Sequence, residues 1–488
     1  MPNSVGFRSE RGPILAAVML ATSLVAVDAT ILATAVPSIV RDIGGFAQFP
    51  WLFSVYLLAQ AVSVPVYGKL SDLFGRKPVV LWGIGLFLLG SIMCGVAGSM
   101  MLLIAFRVVQ GLGAGAIMPT TITIVGDLYS VAERAKVQGY IASVWGVASV
   151  VGPALGGVFS QWVSWRWIFL INIPLCLLAA VMFARAFHER LDRSRPRIDY
   201  RGAILLTTGL TLVILGVLEG GQAWAWDSPV SIADLTFGAI ALVAFGFVER
   251  TAAEPVLPLW VFRRRLLVAT GLTSAGVGAI LLGLSSYIPL YVQEVLGTGP
   301  LVAGFALATL LLGWPLAASR AGYVYLRLGF RGCALIGASI VVVGSTLLLT
   351  LGRHSSVYQV GAVCLLIGVG MGLTAPPTLV AAQSSVGWGE RGVVTANNIF
   401  LRSLGSSVGV AVFGAIANAT VGASALRSGS IDPGRLTIAV QRIFLGIAIV
   451  AVLMLIMVAL LPRQERPGTD DAAEVTTPAE EPRAAATE

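Results

Sequence analysis

Residues Gly68-Lys69-Leu70-Ser71-Asp72-Leu73-Phe74-Gly75-Arg76-Lys77 stand between two apolar runs, each long enough to cross a bilayer. The glycines permit a turn tight enough to send the chain straight back into the membrane, and Arg76 and Lys77 hold that turn on the cytoplasmic side. Asp72 is free to meet a cation or a helix N-terminus. The frame returns about 250 residues later as Gly322-Tyr323-Val324-Tyr325-Leu326-Arg327-Leu328-Gly329-Phe330-Arg331, with Leu326 in place of the acid. Glu133-Arg134 returns at nearly the same offset as Glu390-Arg391.

Two echoes at nearly one offset, on one side of the membrane, describe parallel halves related by an axis along the membrane normal. Six helices of about 30 residues each fill less than that offset, leaving about 75 residues for an insertion. The expected plan is an all-α integral membrane protein with fourteen helices, six plus two plus six. A short N-terminus (1–13) precedes a first bundle (14–188), and a linker with two extra helices (189–265) leads to a second bundle (266–461). The tail (462–488), rich in Ala, Glu, Pro and Thr, reads as disordered.

Composition agrees with a membrane protein. Hydrophobic residues make up 57% of the 488-residue chain and charged residues 11%, against about 25% charged in a soluble domain. The net charge of +8 does not point to nucleic acid, because the basic residues are scattered singly between apolar runs. They mark topology instead. Arginine and lysine crowd one side, as at Arg185, Arg190, Arg193 and Arg263 to Arg265, whereas the other side holds only Arg41, Arg166, Arg353, Arg427 and Arg435. Both termini are therefore expected in the cytoplasm. The four cysteines lie inside apolar runs and the two histidines are far apart in sequence, so neither a disulfide framework, a metal site nor an enzyme's catalytic grouping is suggested.

Three basic residues fall inside the membrane: Arg107, Arg402 and Arg442. Asp28 is the deeply placed acid. A carboxylate at that depth costs roughly 2.5 to 3.5 kcal/mol even on a lenient scale, so a chain that keeps one is expected to move ions or protons with it. Asp28 and Arg107 are expected at similar depths, as a working couple or as a permanent pair that fixes helix register.

These segments together resemble the major facilitator superfamily, most closely its fourteen-helix drug:proton antiporter branch. The resemblance rests on the Gly68–Lys77 loop, on Asp28-x-Thr30-Ile31 through Pro37, on Arg107-Val108-Val109-Gln110-Gly111-Leu112-Gly113, and on Trp165-Arg166-Trp167 through Asn172 and Pro174. Gly146, Gly152, Pro153, Gly156 and Gly157 of the fifth span resemble the antiporter motif, and glycines four apart also make a flat face for helix packing. The resemblance implies a multidrug exporter of amphipathic, cationic compounds, working as a monomer in the bacterial inner membrane. It would be driven by the proton gradient without a cofactor, with Asp28 and Arg107 as coupling residues. It implies a cavity lined by Tyr56, Gln60, Gln110, Trp145, Trp314 and Gln383. It further implies a cytoplasmic latch in which Arg76 meets Asp127 and Asp72 faces the thirteenth span near Gly392. A dedicated exporter of one metabolite and a nontransporting scaffold are the alternatives.

Overall fold

The computed structural model describes residues 6–44, 51–189, 199–219, 224–252, 255–421 and 433–462. The arginine-rich start of the linker and the expected disordered tail from residue 463 lie outside these. Among the described residues the chain is helical almost throughout, and twelve helices are long and apolar enough to cross a membrane.

The first half contains α1 (Gly12–Ile43), α2 (Trp51–Phe74), α3 (Arg76–Gly95), α4 (Met100–Leu128), α5 (Val131–Val158) and α6 (Trp167–Ala186). Two further helices follow, α7 (Tyr200–Glu219) and α8 (Pro229–Thr251). The second half contains α9 (Arg265–Leu290), α10 (Pro300–Leu348), α11 (Val357–Ser384), α12 (Arg391–Val421) and α13 (Pro433–Ala459). Local chemistry sets several starts: Ser130 and Glu133 form a capping box at α5, and Ser356 with Gln359 does the same at α11.

Element α10 is not one straight helix. It breaks at Gly329, whose φ of 76° interrupts the helical backbone, and its counterpart Gly75 has φ 93°. These two positions need a residue without Cβ, so the sequence echo is a backbone echo as well. Gly68 behaves otherwise than the sequence suggested. It lies inside α2, not in the turn, and a side chain there would run into Ala396 and the Gly392 carbonyl of α12. Its part is close helix approach, and Gly75 alone makes the turn.

Each half has its own apolar core, one built on Leu15, Phe87, Ile117 and Phe183, the other on Ile280, Met371, Phe413 and Phe444. A third cluster sets Leu206, Leu210 and Ile214 of α7 against Leu58 and Val62 of α2 and Phe400 of α12. The inserted helices thus lie along the seam between α2 and α12, and α8 turns Phe237, Ile240, Val243 and Phe247 outward.

Candidate functional site

Asp28 sits midway along α1 and is 2% exposed, and Arg107 on α4 is 1% exposed. Arg107 Nη1 donates to Asp28 Oδ2 at 2.7 Å, and Gln110 Nε2 donates to Asp28 Oδ1 at 2.9 Å. Both carboxylate oxygens are therefore occupied. Arg107 also donates to Gln110 Oε1 (2.8 Å) and to the Leu52 carbonyl (3.1 Å), and its guanidinium stacks on the Tyr56 ring, 4.0 Å from the centroid. Gln110 and Asn172 both donate to Ser91 Oγ, at 2.9 and 3.3 Å. Gly90 makes this possible, because a Cβ there would collide with the backbone of Gln110.

The network joins five of the first six helices. Its logic follows from the cost of burial: a charge removed from water must be paired and have its remaining hydrogen-bonding capacity filled. Arg107 keeps the Gln110 and Leu52 acceptors and the Tyr56 ring even without Asp28. The arrangement can therefore accept a proton on Asp28 without stranding its cation. Gly152 of α5 packs on Thr30, half a turn from Asp28, and Thr30 Oγ1 donates to the Ala148 carbonyl at 2.9 Å. The small-residue stretch of α5 thus rests against the part of α1 that carries the acid.

A second charged cluster lies at the end of the bundle marked by Gly75. Arg76, 0% exposed, donates to Asp127 Oδ2 (2.9 Å), to the Ser71 carbonyl (2.7 Å) and to the Trp388 carbonyl (2.7 Å), pairs with Asp72 at 2.8 Å, and stacks on the Trp388 ring. Asp72 accepts from the Gly392 and Val393 amides at 3.0 and 2.8 Å, the unpaired N–H groups that open α12. Asp127 also takes a bond from Arg391 Nη1 at 3.2 Å. The two echo arginines meet here, since Arg134 and Arg391 both donate to the Gly126 carbonyl. The bonds from Arg76 to Trp388, from the Gly392 and Val393 amides to Asp72, and from Arg391 to Gly126 and Asp127 tie one half to the other, so this end of the molecule is shut.

A model of the Major Facilitator Superfamily matches residues 18–410. This chain belongs to that superfamily. It is 33% identical over 403 residues to Multidrug resistance protein 3 of Bacillus subtilis, covering 83% of this chain and 79% of the relative. It is also 33% identical to the multidrug transporter protein MdtP of the same organism, over 86% and 77% of the two chains. Efflux pump dotC of Dothistroma septosporum is 33% identical over 81% and 70%. Among solved structures, the human organic anion transporter MFSD10 (TETRAN) aligns with a TM-score of 0.65 over 92% of this chain and 99% of that one, at 18% identity, which speaks for the fold. The protein is a multi-pass membrane transporter of the major facilitator fold.

Of the six cavity residues expected in this major facilitator, Tyr56 and Gln110 meet through Arg107 in the Asp28 network. Tyr56 lies under Arg107, Gln110 belongs to the Asp28 network, and Gln383 donates to Thr395 Oγ1 (2.9 Å) near the shut end, where its amide faces Gly126. Trp314 packs on the second core. Trp145 is 38% exposed, and Gln60 is half-buried with its side-chain amide making no hydrogen bond to any described residue. Gly146 faces Pro315 of the other half, Gly156 is buried, and Gly157 has open space around it. Pro153 lies within α5. Lys77 donates to the Ala184 carbonyl at 2.7 Å.

Sequence reasoning missed several partners. The Glu189 carboxylate accepts from the Arg76 and Lys77 amides at 3.0 and 3.1 Å, capping α3. Trp388 and Arg391 complete the shut end. Arg391 was signalled by the Glu-Arg echo, whereas nothing local marks Glu189 or Trp388. At the opposite end Arg166 Nη1 and Trp165 Nε1 donate to Asp42 Oδ2 at 2.6 and 3.0 Å. Those bonds, Arg166 first, hold the Asp42 carboxyl below its ordinary range.

Proposed function

We propose that this transporter is a proton-coupled antiporter exporting amphipathic organic compounds from the cytoplasm of a bacterial cell, working as a monomer in the inner membrane. Fourteen crossings fit this reading: the twelve apolar helices, with α10 divided at Gly329, together with α5, a 28-residue helix whose first turns carry charge. Both termini then lie with the shut end on the cytoplasmic side, where the basic residues concentrate. The relatives named for multidrug resistance and efflux support export as the direction.

The observation that carries the proposal is the Asp28 network. In the outward-facing form Asp28 is ionised and held by Arg107 and Gln110. A proton arriving on Asp28 removes the charge that Arg107 pairs with, loosens α1 from α4, and lets the open side close. Release of that proton to the cytoplasm restores the pair for the next cycle. Alternating access thus follows from one carboxylate with two hydrogen-bonding states, combined with a latch at Asp72, Arg76 and Asp127. The cationic preference that the resemblance implies is not part of this reading, because Asp28 already has its counter-charge in Arg107.

The test is transport in proteoliposomes loaded with the neutral methyl ester of a dansyl-labelled long-chain acid. An imposed proton gradient should drive the ester uphill, and collapse of the gradient by an ionophore should stop it. Movement of the ester indifferent to the gradient would refute coupling, and an ester and parent acid both no more mobile than in empty liposomes would refute export of such compounds.

A further inference from the structure

The three membrane arginines have different fates. Arg107 is paired with Asp28, and Arg442 is exposed and donates to Thr420 Oγ1 at 3.2 Å. Arg402 is half-buried in α12 and makes neither a side-chain hydrogen bond nor an ion pair to any described residue. Its nitrogens are not among the sealed, unpartnered polar atoms, so the guanidinium keeps some accessible surface although protein surrounds it closely. From Arg265 onward the sequence holds three acids before the tail, Glu294 and Glu390, both near helix ends, and Asp432, which lies outside the described residues. Among the described residues the second half therefore has no carboxylate at the depth of Arg402, and the one in the first half is taken.

The direction in which Arg402 leaves its helix follows from its neighbours. Leu401 and Leu404 pack with the cluster that includes α7, on the outer side. Residues of an α-helix are about 100° apart, so Arg402 lies on the face it shares with Ser406 and Thr395. Thr395 meets Gln383 of α11 and Ser406 abuts Gly278 of α9, which puts that face inside the second half, between α9 and α11. Arg402 stands about 16 Å along α12 from the latch residue Arg391. Helix α2 runs antiparallel to α12, touching it where Gly68 meets Ala396. Counting along both helices from that contact places Gln60 level with Arg402 to within about one turn. Two unpartnered donors, one from each half, thus stand at one depth above the shut end.

We propose that Arg402 anchors an acidic group and that the transported compounds are amphipathic organic acids carried as carboxylates, with the Gln60 amide as a second donor. A cation left unpaired at this depth is costly, and a carboxylate presented to its planar fork recovers that cost through two parallel charge-assisted bonds. The same charge repels lipophilic cations. Export of an anion against entry of a proton also lets an inside-negative membrane potential drive both movements. This assignment rests on the export reading above.

The experiment uses the purified full chain in detergent and three dansyl probes of one length: the acid, its methyl ester and the corresponding amine. The acid should bind at least about tenfold more tightly than either other probe, as expected when a charged hydrogen-bonded pair is gained. Arg402→Gln should remove that advantage and leave the ester's affinity within about twofold, whereas Arg402→Lys, which keeps the charge, should retain part of it. Equal binding of acid and ester by the parent protein would overturn the proposal, as would equal weakening of all three probes in a folded Arg402→Gln protein. The liposome assay separates the two readings. Gradient-driven movement of the ester without acid preference sinks the anchor alone, and acid preference without gradient-driven movement of any probe sinks the exporter alone.

Discussion

The Gly68–Lys77 turn and its echo at Gly322–Arg331 share a backbone and differ in what they hold. The first places Asp72 on the opening amides of α12 and Arg76 on Asp127 and Trp388, crossing between halves by charge. The second has Leu326 at the matching position, packed in a small apolar cluster with Phe330, Val380 and Val131, and its one polar crossing among the described residues is Tyr325 Oη donating to the Val131 carbonyl at 2.9 Å. One repeat closes the transporter with a charged latch and the other with an apolar seal. A duplicated fold need not duplicate its chemistry. Only the charged side can be opened by moving a charge, which is what a proton-driven cycle requires.

Substitution at Arg76 should break the comparison most severely. Arg76→Ala leaves Asp72 buried without its cation and Asp127 with Arg391 alone, a loss of about 3 to 5 kcal/mol by analogy with other broken buried pairs. Thermal unfolding should move down sharply, and a cysteine introduced at Gln383 should become reactive from the cytoplasmic side. An unfolding midpoint unchanged from the parent would mean that the latch contributes nothing to the closed form.

A gentler pair of changes sharpens the contrast. Asp72→Asn keeps shape but weakens two charge-assisted bonds to α12 and the Arg76 pair, at about 1.5 to 3 kcal/mol. Leu326→Ala removes apolar contact at a half-buried position, at about 1 kcal/mol. Labelling of the Gln383 cysteine should rise in the first variant and stay near the parent level in the second. Equal rises in both would show that charge is not what distinguishes the two turns.

The smallest effect is expected at the far end, where the Asp42–Arg166 pair is partly exposed and screened. Asp42→Asn should leave thermal unfolding close to that of the parent. Because hydrogen bonds from Arg166 and Trp165 lower the folded Asp42 pKa, its contribution is present above the ordinary carboxylate pKa and lost only as pH falls through the lowered value. Transport should therefore show the same pH profile near neutrality in Asp42→Asn as in the parent. A profile displaced in that range would assign a working titration to Asp42.

Much of this was legible from sequence because bilayers punish charge. Asp28 and Arg107 could be placed at similar depths by counting residues, and the structure has them in contact. The echo at Gly329 appeared as a repeat of residue types and is a repeat of positive φ. Helix faces were harder. In a membrane both lipid-facing and core-facing residues are apolar, so the periodicity that orients a helix in water is blurred. Tyr56, Gln110 and Gln383 could be placed on the right helices but not against their protein partners. Gly68 was read as part of a turn because a glycine's close-packing use and its turn use look alike in one dimension. Arg402 was visible as a membrane arginine, yet its lack of a partner among the described residues is a fact of three dimensions.

The central claim is that Asp28 carries the proton. It is tested most directly by recording proton movement in proteoliposomes with an entrapped pH indicator while a gradient of the neutral dansyl ester is imposed. In the parent protein, ester leaving the liposomes should draw protons inward. In Asp28→Asn, which cannot exchange a proton at that position, ester efflux should proceed with no proton counterflow or stop altogether. Proton counterflow of parental size in Asp28→Asn would contradict the account and place the carrier elsewhere.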